Sequence, residues 1–343
     1  MSAAQEAPPP AAQLLQFVTA PWLSQAIYAA AKLGVADLLK DGPKPASELA
    51  HATKNSPEPM YRLLRALAAF GIFRETTPGT FELTPIAQHL RSDVPDSLRG
   101  VAIMFGSPWH RAAWTEILHA VRTAEPSFEH AHGQGFFDYC QSHPDAAAVF
   151  DEAMTSFSTQ ETPLVLEAYD FSGIRKLVDV AGGHGSLLAE ILKKNPAMQG
   201  VLFDLPSVID GAKKRKHLEA AGVAPRCELV GGDFFQSVPA GGDAYLMKHI
   251  IHDWSDGHCV TILNNCRKAM APGGRLLLIE MVLSPGNEPH IGKLLDLEML
   301  VQTRGGKERT EAEFRDLFAA GGFRLTRIVK TKSFACVIEG VPA

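Results

Sequence analysis

The residues best equipped for chemistry in this chain fall in one run, Lys248-His249-Ile250-Ile251-His252-Asp253-Trp254-Ser255-Asp256. The run follows an apolar stretch, Asp243-Ala244-Tyr245-Leu246-Met247, that reads as a buried strand, so its polar side chains emerge where the strand ends. An imidazole there can act as a general base, a metal ligand or a structural hydrogen-bonding group. A base must be oriented by a carboxylate on its other ring nitrogen. Glu280, closing the apolar run Arg275-Leu276-Leu277-Leu278-Ile279, and Glu308, in the loop after Met299, are the candidates. A metal would draw on His249, His252, Asp253, Asp256 or His258, which straddle a strand end without a recognised ligand spacing; no metal is expected.

A second cluster lies upstream. Leu177-Val178-Asp179-Val180 predicts a strand and Ala181-Gly182-Gly183-His184-Gly185-Ser186 a tight turn. Leu187, Leu188, Ile191 and Leu192 mark a helix closed by Asn195-Pro196, and Gly200-Val201-Leu202-Phe203 is a second strand ending on Asp204. This βαβ pattern suits a nucleoside-like ligand. Glycines supply positive φ and let a ligand lie against backbone, and an ionised Asp204 can accept hydrogen bonds from both ribose hydroxyls. The pattern departs from the dinucleotide fingerprint, because Leu188 stands where the third glycine belongs. Asp179, two residues before the turn, would repel a pyrophosphate and favour a cation. S-adenosylmethionine, with ammonium and sulfonium charges and no phosphate, fits better than NAD.

Around these clusters strand and helix alternate from about residue 171 onward. Cys227 to Val230 is a strand leading into Gly231-Gly232-Asp233-Phe234-Phe235, where Asp233 could hold an adenine amino group and Phe234 stack on the ring. A helix from about Asp256 to Met270 precedes the Arg275–Glu280 strand. Thr310 and Glu313 form a capping box for a helix to Ala320, and two strands from Phe323 close the sheet. Residues 101–170 read as helical and aromatic-rich, well placed to cap a substrate.

The N-terminal part divides differently. Residues 1–12 read as a disordered tail, and residues 13–100 as helices followed by a hairpin, a winged-helix arrangement. Between Leu14 and Gly100 nine Lys and Arg face eight Asp and Glu, so the basic footprint of a DNA reader is missing; the apolar residues suggest a dimerisation surface instead. The net charge of −5 likewise disfavours nucleic acid as a partner. There is no apolar run of the ~20 residues that span a bilayer, and no signal peptide is read at the N-terminus. Five scattered cysteines without a CxxC suit a reducing compartment, so a cytoplasmic protein is expected.

LVDVAGGHG, LFDLP, GGDFF, KHIIHDWSD, APGGRLLLIE and GGKERTEAEF occur in this order, and together they resemble the plant caffeic acid O-methyltransferase type and its bacterial secondary-metabolite relatives. The resemblance covers essentially the whole chain. It implies an α/β fold: a Rossmann-like seven-stranded methyltransferase sheet with an antiparallel closing strand over residues 101–343, joined to a homodimerising winged-helix domain.

It also implies a division of roles. Asp179, Gly182, Asp204, Leu205, Asp233, Phe234 and Lys248 would hold S-adenosylmethionine, and His252 would be the catalytic base flanked by Glu280 and Glu308. Phe105, Trp109, Met154, Asp253, Met299 and Thr303 would line the acceptor. Ala181 stands where the family usually has glycine, which implies an ordinary φ there. Thr303 replaces a polar amide of many plant relatives, which points away from a plant phenylpropanoid acceptor; the aromatic residues of the helical segment suggest a hydroxylated aromatic or polyketide metabolite instead. Altered chemistry in the same pocket (N-methylation or decarboxylation) and a non-catalytic ligand-sensing regulator are the alternatives.

Overall fold

The computed structural model describes residues 8–343. Most of the expected N-terminal tail therefore lies outside the described residues, and its last part is helical, because the first helix begins at Pro10. Pro10 and the prolines before it suit a helix start, where a missing N–H is no loss. The chain divides into two compact units. One ends at Ala112 and takes in Cys140–Thr159; the other holds Ala113–Tyr139 and Gln160–Ala343. The helical segment expected as one cap thus divides between them, and the long helix Pro144–Ala168 supplies residues to each.

In the N-terminal unit, strands β1 (Lys44–Pro45), β2 (Phe73–Thr77) and β3 (Thr80–Leu83) form a small antiparallel sheet in the order β1-β3-β2. Leu49, Leu64, Leu67, Phe73 and Phe81 are buried between it and the helices Ala46–Ala52 and Pro57–Ala69. Helix Pro10–Lys32 leaves Leu14, Leu15, Phe17, Val18 and Trp22 exposed along its first half.

The C-terminal unit is built on β4 (Lys176–Val180), β5 (Gln199–Asp204), β6 (Cys227–Gly231), β7 (Ala244–Lys248), β8 (Arg275–Leu283), β9 (Arg309–Thr310), β10 (Phe323–Lys330) and β11 (Ala335–Pro342). The sheet order is β10-β11-β8-β7-β4-β5-β6, with β9 extending β8. β11 runs antiparallel to both its neighbours, and the β8, β7, β4, β5 and β6 ladders are parallel.

The apolar runs read from sequence are central strands buried on both faces. Leu177, Leu246 and Leu277 enter one core, while Val178, Tyr245, Met247, Leu276 and Leu278 enter the other. Strand order reverses at β4, with β5 on one side and β7 on the other. Such a reversal opens a crevice at the carboxyl ends of the strands, where α/β proteins bind ligands.

Candidate active site

At the crevice the chain leaves β4 in a left-handed conformation. Ala181 has φ 57°, Gly183 60° and Gly185 81°. The ordinary φ expected at Ala181 is therefore not what the turn adopts. The N–H groups of Ala181 and Gly182 both donate to Phe203 O, at 2.8 and 3.3 Å, which forces the backbone over toward β5. A Cβ at Gly182 would lie 2.5 Å from Asp179 Oδ2 and 2.6 Å from Leu202, so that position admits only glycine. At Gly183 an added Cβ would meet nothing within 4 Å, leaving open space against the backbone.

Two carboxylates frame this turn. Asp204, ending β5, accepts from Gly183 N–H at 2.9 Å and from Leu205 N–H at 2.7 Å. Two of its roughly four lone-pair sites remain for a ligand. Asp179 is buried, and its Oδ2 has no hydrogen-bond partner. Burial, with Asp204 adding to it and Lys248 opposing, pushes its carboxyl up to about 7. A buried carboxylate left unsatisfied is matched by a cationic ligand. An S-adenosylmethionine ammonium would fit it, and the open backbone at Gly183 would take the rest of a nucleoside donor.

The next loop is anchored by its own acid. Asp233 accepts from Phe235 N–H at 2.8 Å and from Gln236 Nε2 at 3.3 Å, while Asn265 Nδ2 donates to the carbonyls of Phe234 and Phe235. The Phe234 ring packs edge-on to Phe235 and Trp254. Lys248 ends β7 with Nζ 3.8 Å from Glu161 Oε2, and burial lowers its pKa. Leu205 is half exposed beside Asp204.

After Lys248 the chain turns through His249, at φ 52°, into a 3₁₀ turn, Ile251–Asp253. The turn is held from two sides. Glu280 Oε1 accepts from the N–H groups of Ile250 and Ile251, at 3.0 and 2.8 Å. Fully buried Arg309 donates to the carbonyls of Ile251 and Trp254, both at 3.0 Å, and to Asp256 Oδ1. Arg309 is itself placed by β9 pairing with β8 and by the Thr310–Glu313 capping box that follows.

His252, 9% exposed, sits on this turn with Nδ1 2.7 Å from Glu308 Oε1 and 3.7 Å from Glu280 Oε2; Asp253 Oδ1 is 3.6 Å from Nε2. Burial alone would push the imidazole down. The charges of Glu280 and Asp253 and the bond to Glu308 outweigh it and lift His252 to about 10. For Asp253, burial prevails and raises the carboxyl to about 6.

The two carboxylates proposed as orienters are thus brought to one ring, Glu308 by a direct bond and Glu280 through charge and the turn's backbone. Met299 and Thr303 are buried at the end of helix Gly292–Gln302, with Thr303 Oγ1 donating to Met299 O at 2.9 Å. A Cβ at Gly306 would meet Thr303 Oγ1 and His252 O, so this glycine lets the two segments touch. Phe105, Trp109 and Met154 belong to the N-terminal unit, on helices Arg99–Gly106, Pro108–Thr115 and Pro144–Ala168.

Four residues have surroundings that a sequence reading does not give. Glu161 accepts from His249 Nε2 at 2.8 Å across 88 positions, a pairing no local signal announces. His249 itself was visible only as a member of the histidine run. Arg309 was legible within GGKERT but not as the clamp of the histidine turn. Gln302 is a buried amide with neither terminal atom hydrogen-bonded, next to Thr303.

His249, His252 and Glu280 bring potential ligand atoms within 4.8 Å of one another. A metal would have to displace protons from imidazoles lifted to about 8 and about 10. That competition works against a metal at neutral pH.

A parallel-centred sheet with one antiparallel strand, a phosphate-averse glycine turn and a buried histidine between glutamates define an S-adenosylmethionine-dependent methyltransferase. Residues 114–324 match the O-methyltransferase domain and residues 15–93 the O-methyltransferase dimerisation domain. The chain belongs to this O-methyltransferase family.

It is 47% identical to the phenazine O-methyltransferase PhzM of Lysobacter antibioticus, covering 96% of this chain and 95% of that protein. It is 38% identical to the phenazine-1-carboxylate N-methyltransferase of Pseudomonas aeruginosa, covering 93% of each. Among solved structures, LaPhzM superposes with a TM-score of 0.93 at 46% identity, over 98% of this chain and 100% of that one. CalO1, a methyltransferase in calicheamicin biosynthesis in its SAH-bound form, gives a TM-score of 0.85 at 37% identity, over 97% and 98%.

Proposed function

We propose that this enzyme methylates a hydroxyl of a small aromatic or polyketide metabolite, with His252 as general base. The observation that carries the reading is the His252 ring, buried on the turn after β7 with Nδ1 bonded to Glu308 and Nε2 left to exchange a proton. When bound, S-adenosylmethionine supplies an electrophilic methyl on a sulfonium centre. Asp179 would balance its positive charge beside the turn at Gly182, Asp204 and Leu205 would take the ribose, and Asp233 and Phe234 would hold the adenine with Lys248 beside it.

The proton is the harder half of the reaction. An ordinary imidazole near 6.5 and a phenol near 10 differ by roughly 5 kcal/mol for full transfer. With His252 lifted to about 10 the two are matched, so the proton can pass from the acceptor oxygen to Nε2 as the new bond forms. The remaining cost is freeing the imidazole of its own proton, and it falls as pH rises. Met299, Thr303, Asp253 and the Gln302 amide, whose terminal atoms make no hydrogen bond, would meet the acceptor.

The dimerisation-domain match and the exposed apolar residues of helix Pro10–Lys32 support a homodimer joined through the N-terminal unit. No described helix is long and apolar enough to cross a membrane. The scattered cysteines without a CxxC and the net charge of −5 support a cytoplasmic enzyme without nucleic-acid or membrane partners. N-methylation is the second reading, favoured by the N-methyltransferase relative. Incubating the enzyme with S-adenosylmethionine and matched hydroxy and amino acceptors, and weighing the products, separates the two. His252→Ala should bind S-adenosylhomocysteine as the parent does and lose a factor on the order of 10²–10⁴ in turnover; unchanged turnover would reject the base assignment.

A further inference from the structure

One carboxylate outside the histidine cluster is bonded to the residue that orients the ring. Asp296 Oδ1, on helix Gly292–Gln302, accepts from the N–H of Glu308 at 2.9 Å, and Glu308 Oε1 lies 2.7 Å from His252 Nδ1. Asp296 and Met299 stand at i and i+3 and so share one face of this helix, and Thr303 caps it one turn further on. Aspartate is a weak helix former in a helix interior, because its side chain competes for backbone groups nearby. Here it serves a backbone group 12 positions away instead.

The backbone that carries Glu308 is tied on two sides. Lys307 N–H donates to His252 O at 2.8 Å, so consecutive N–H groups bind this segment to the histidine turn and to the helix. The helix is itself held by Trp114, whose Nε1 donates to Glu298 Oε2 at 2.5 Å. The other titratable groups around the His252 ring come from different elements: Glu280 from β8, and Asp253 and His249 from the turn.

We propose that Asp296 is a positioning residue that orients His252 by fixing Glu308 against the helix carrying Met299 and Thr303. The inference rests on the general-base reading above. Histidine turn, Glu308 and helix then form one piece, so the distance from the base to an acceptor resting on Met299 and Thr303 is set through Asp296. Methyl transfer is sensitive to that distance, since oxygen, methyl and base must be aligned before the bond forms.

Three substitutions test this, read by imidazole NMR with the His252 signal identified by its loss in His252→Ala. Asp296→Ala removes the acceptor of the Glu308 N–H. Asp296→Asn keeps an oxygen in place and drops only the charge, and Asp296→Glu keeps the charge but moves the oxygen by a methylene. A loosened Glu308 supports the imidazolium less well. Asp296→Ala should therefore lower the His252 midpoint by about one unit, the scale of one charge-assisted hydrogen bond. Its kcat should climb at lower pH and level off on the order of tenfold below the parent, with S-adenosylhomocysteine affinity unchanged within about twofold. Asp296→Glu should follow the alanine variant, and Asp296→Asn should stay near the parent in both midpoint and plateau.

A midpoint within about 0.3 unit of the parent in Asp296→Ala overturns the proposal, because a merely structural role lowers stability and turnover without moving it. An asparagine variant as impaired as alanine overturns it equally. Should Asp296→Ala fail to fold, the other two decide: a shifted glutamate variant beside an unshifted asparagine variant supports the proposal, and two variants alike reject it. The midpoint is read without turnover. Retained activity in His252→Ala would reject the general base and is distinguishable from each of these outcomes.

Discussion

His252 Nδ1 stands 2.7 Å from Glu308 Oε1, a contact that joins residues 56 positions apart. An ionised carboxylate only accepts, so Nδ1 carries a hydrogen, and in the proposed reaction Nε2 is the nitrogen that would take the acceptor's proton. The same carboxylate and its neighbours keep the ring charged at neutral pH.

The pH consequence has a definite sign. Neutral His252 is the minority form below about 10, and its share grows tenfold per pH unit up to that point. kcat/KM should therefore climb from pH 7 to pH 9 with a logarithmic slope near one. Glu308→Gln should shift that climb to lower pH while reducing the plateau, because it lowers basicity and orients the ring less well. A flat profile over this range in the parent enzyme would contradict the assignment.

Donor binding should release a proton. Asp179 is lifted to about 7 by burial, and a cationic ligand binds its ionised form. S-adenosylhomocysteine, which retains the ammonium, should bind about tenfold more tightly at pH 8 than at pH 6 by calorimetry. Asp179→Asn should weaken binding and flatten that dependence.

Arg309 closes the turn around His252 with bonds to Ile251, Trp254, Lys307 and Asp256. Lysine has fewer donors and no fork, so Arg309→Lys leaves buried carbonyls unsatisfied. We expect a loss of about 3 kcal/mol of stability in denaturant unfolding, together with a fall in kcat larger than any change in donor affinity.

Ala181 at φ 57° offers a gain. The left-handed conformation costs an L-residue roughly 1–2 kcal/mol, and glycine gives back about 0.4–1 kcal/mol through the unfolded chain. Ala181→Gly should raise stability by about 0.5 kcal/mol without harming donor binding, as thermal unfolding with and without S-adenosylhomocysteine would show.

Neighbours along the chain suffice to specify part of this protein. Strand, glycine turn, helix and acid from Lys176 to Asp204 are local, because hydrophobic period and glycine spacing act over a few residues, and they are where the periodicity placed them. The apolar runs of β7 and β8 likewise announced central strands, so His252 and Glu280 could be placed at one sheet edge before any coordinates.

Long-range packing selects which carboxylate touches which nitrogen. Glu161 reaches His249 across 88 residues, Glu280 ties down the turn through two backbone N–H groups, and Arg309 clamps it from 58 residues beyond Ile251. Those contacts depend on how helices pack over the sheet. The left-handed turn at Ala181 is of the same kind, because bonds to Phe203 on the next strand override the local preference of alanine. Short-range spacing sets which elements form, and long-range packing sets the charge balance on a single ring.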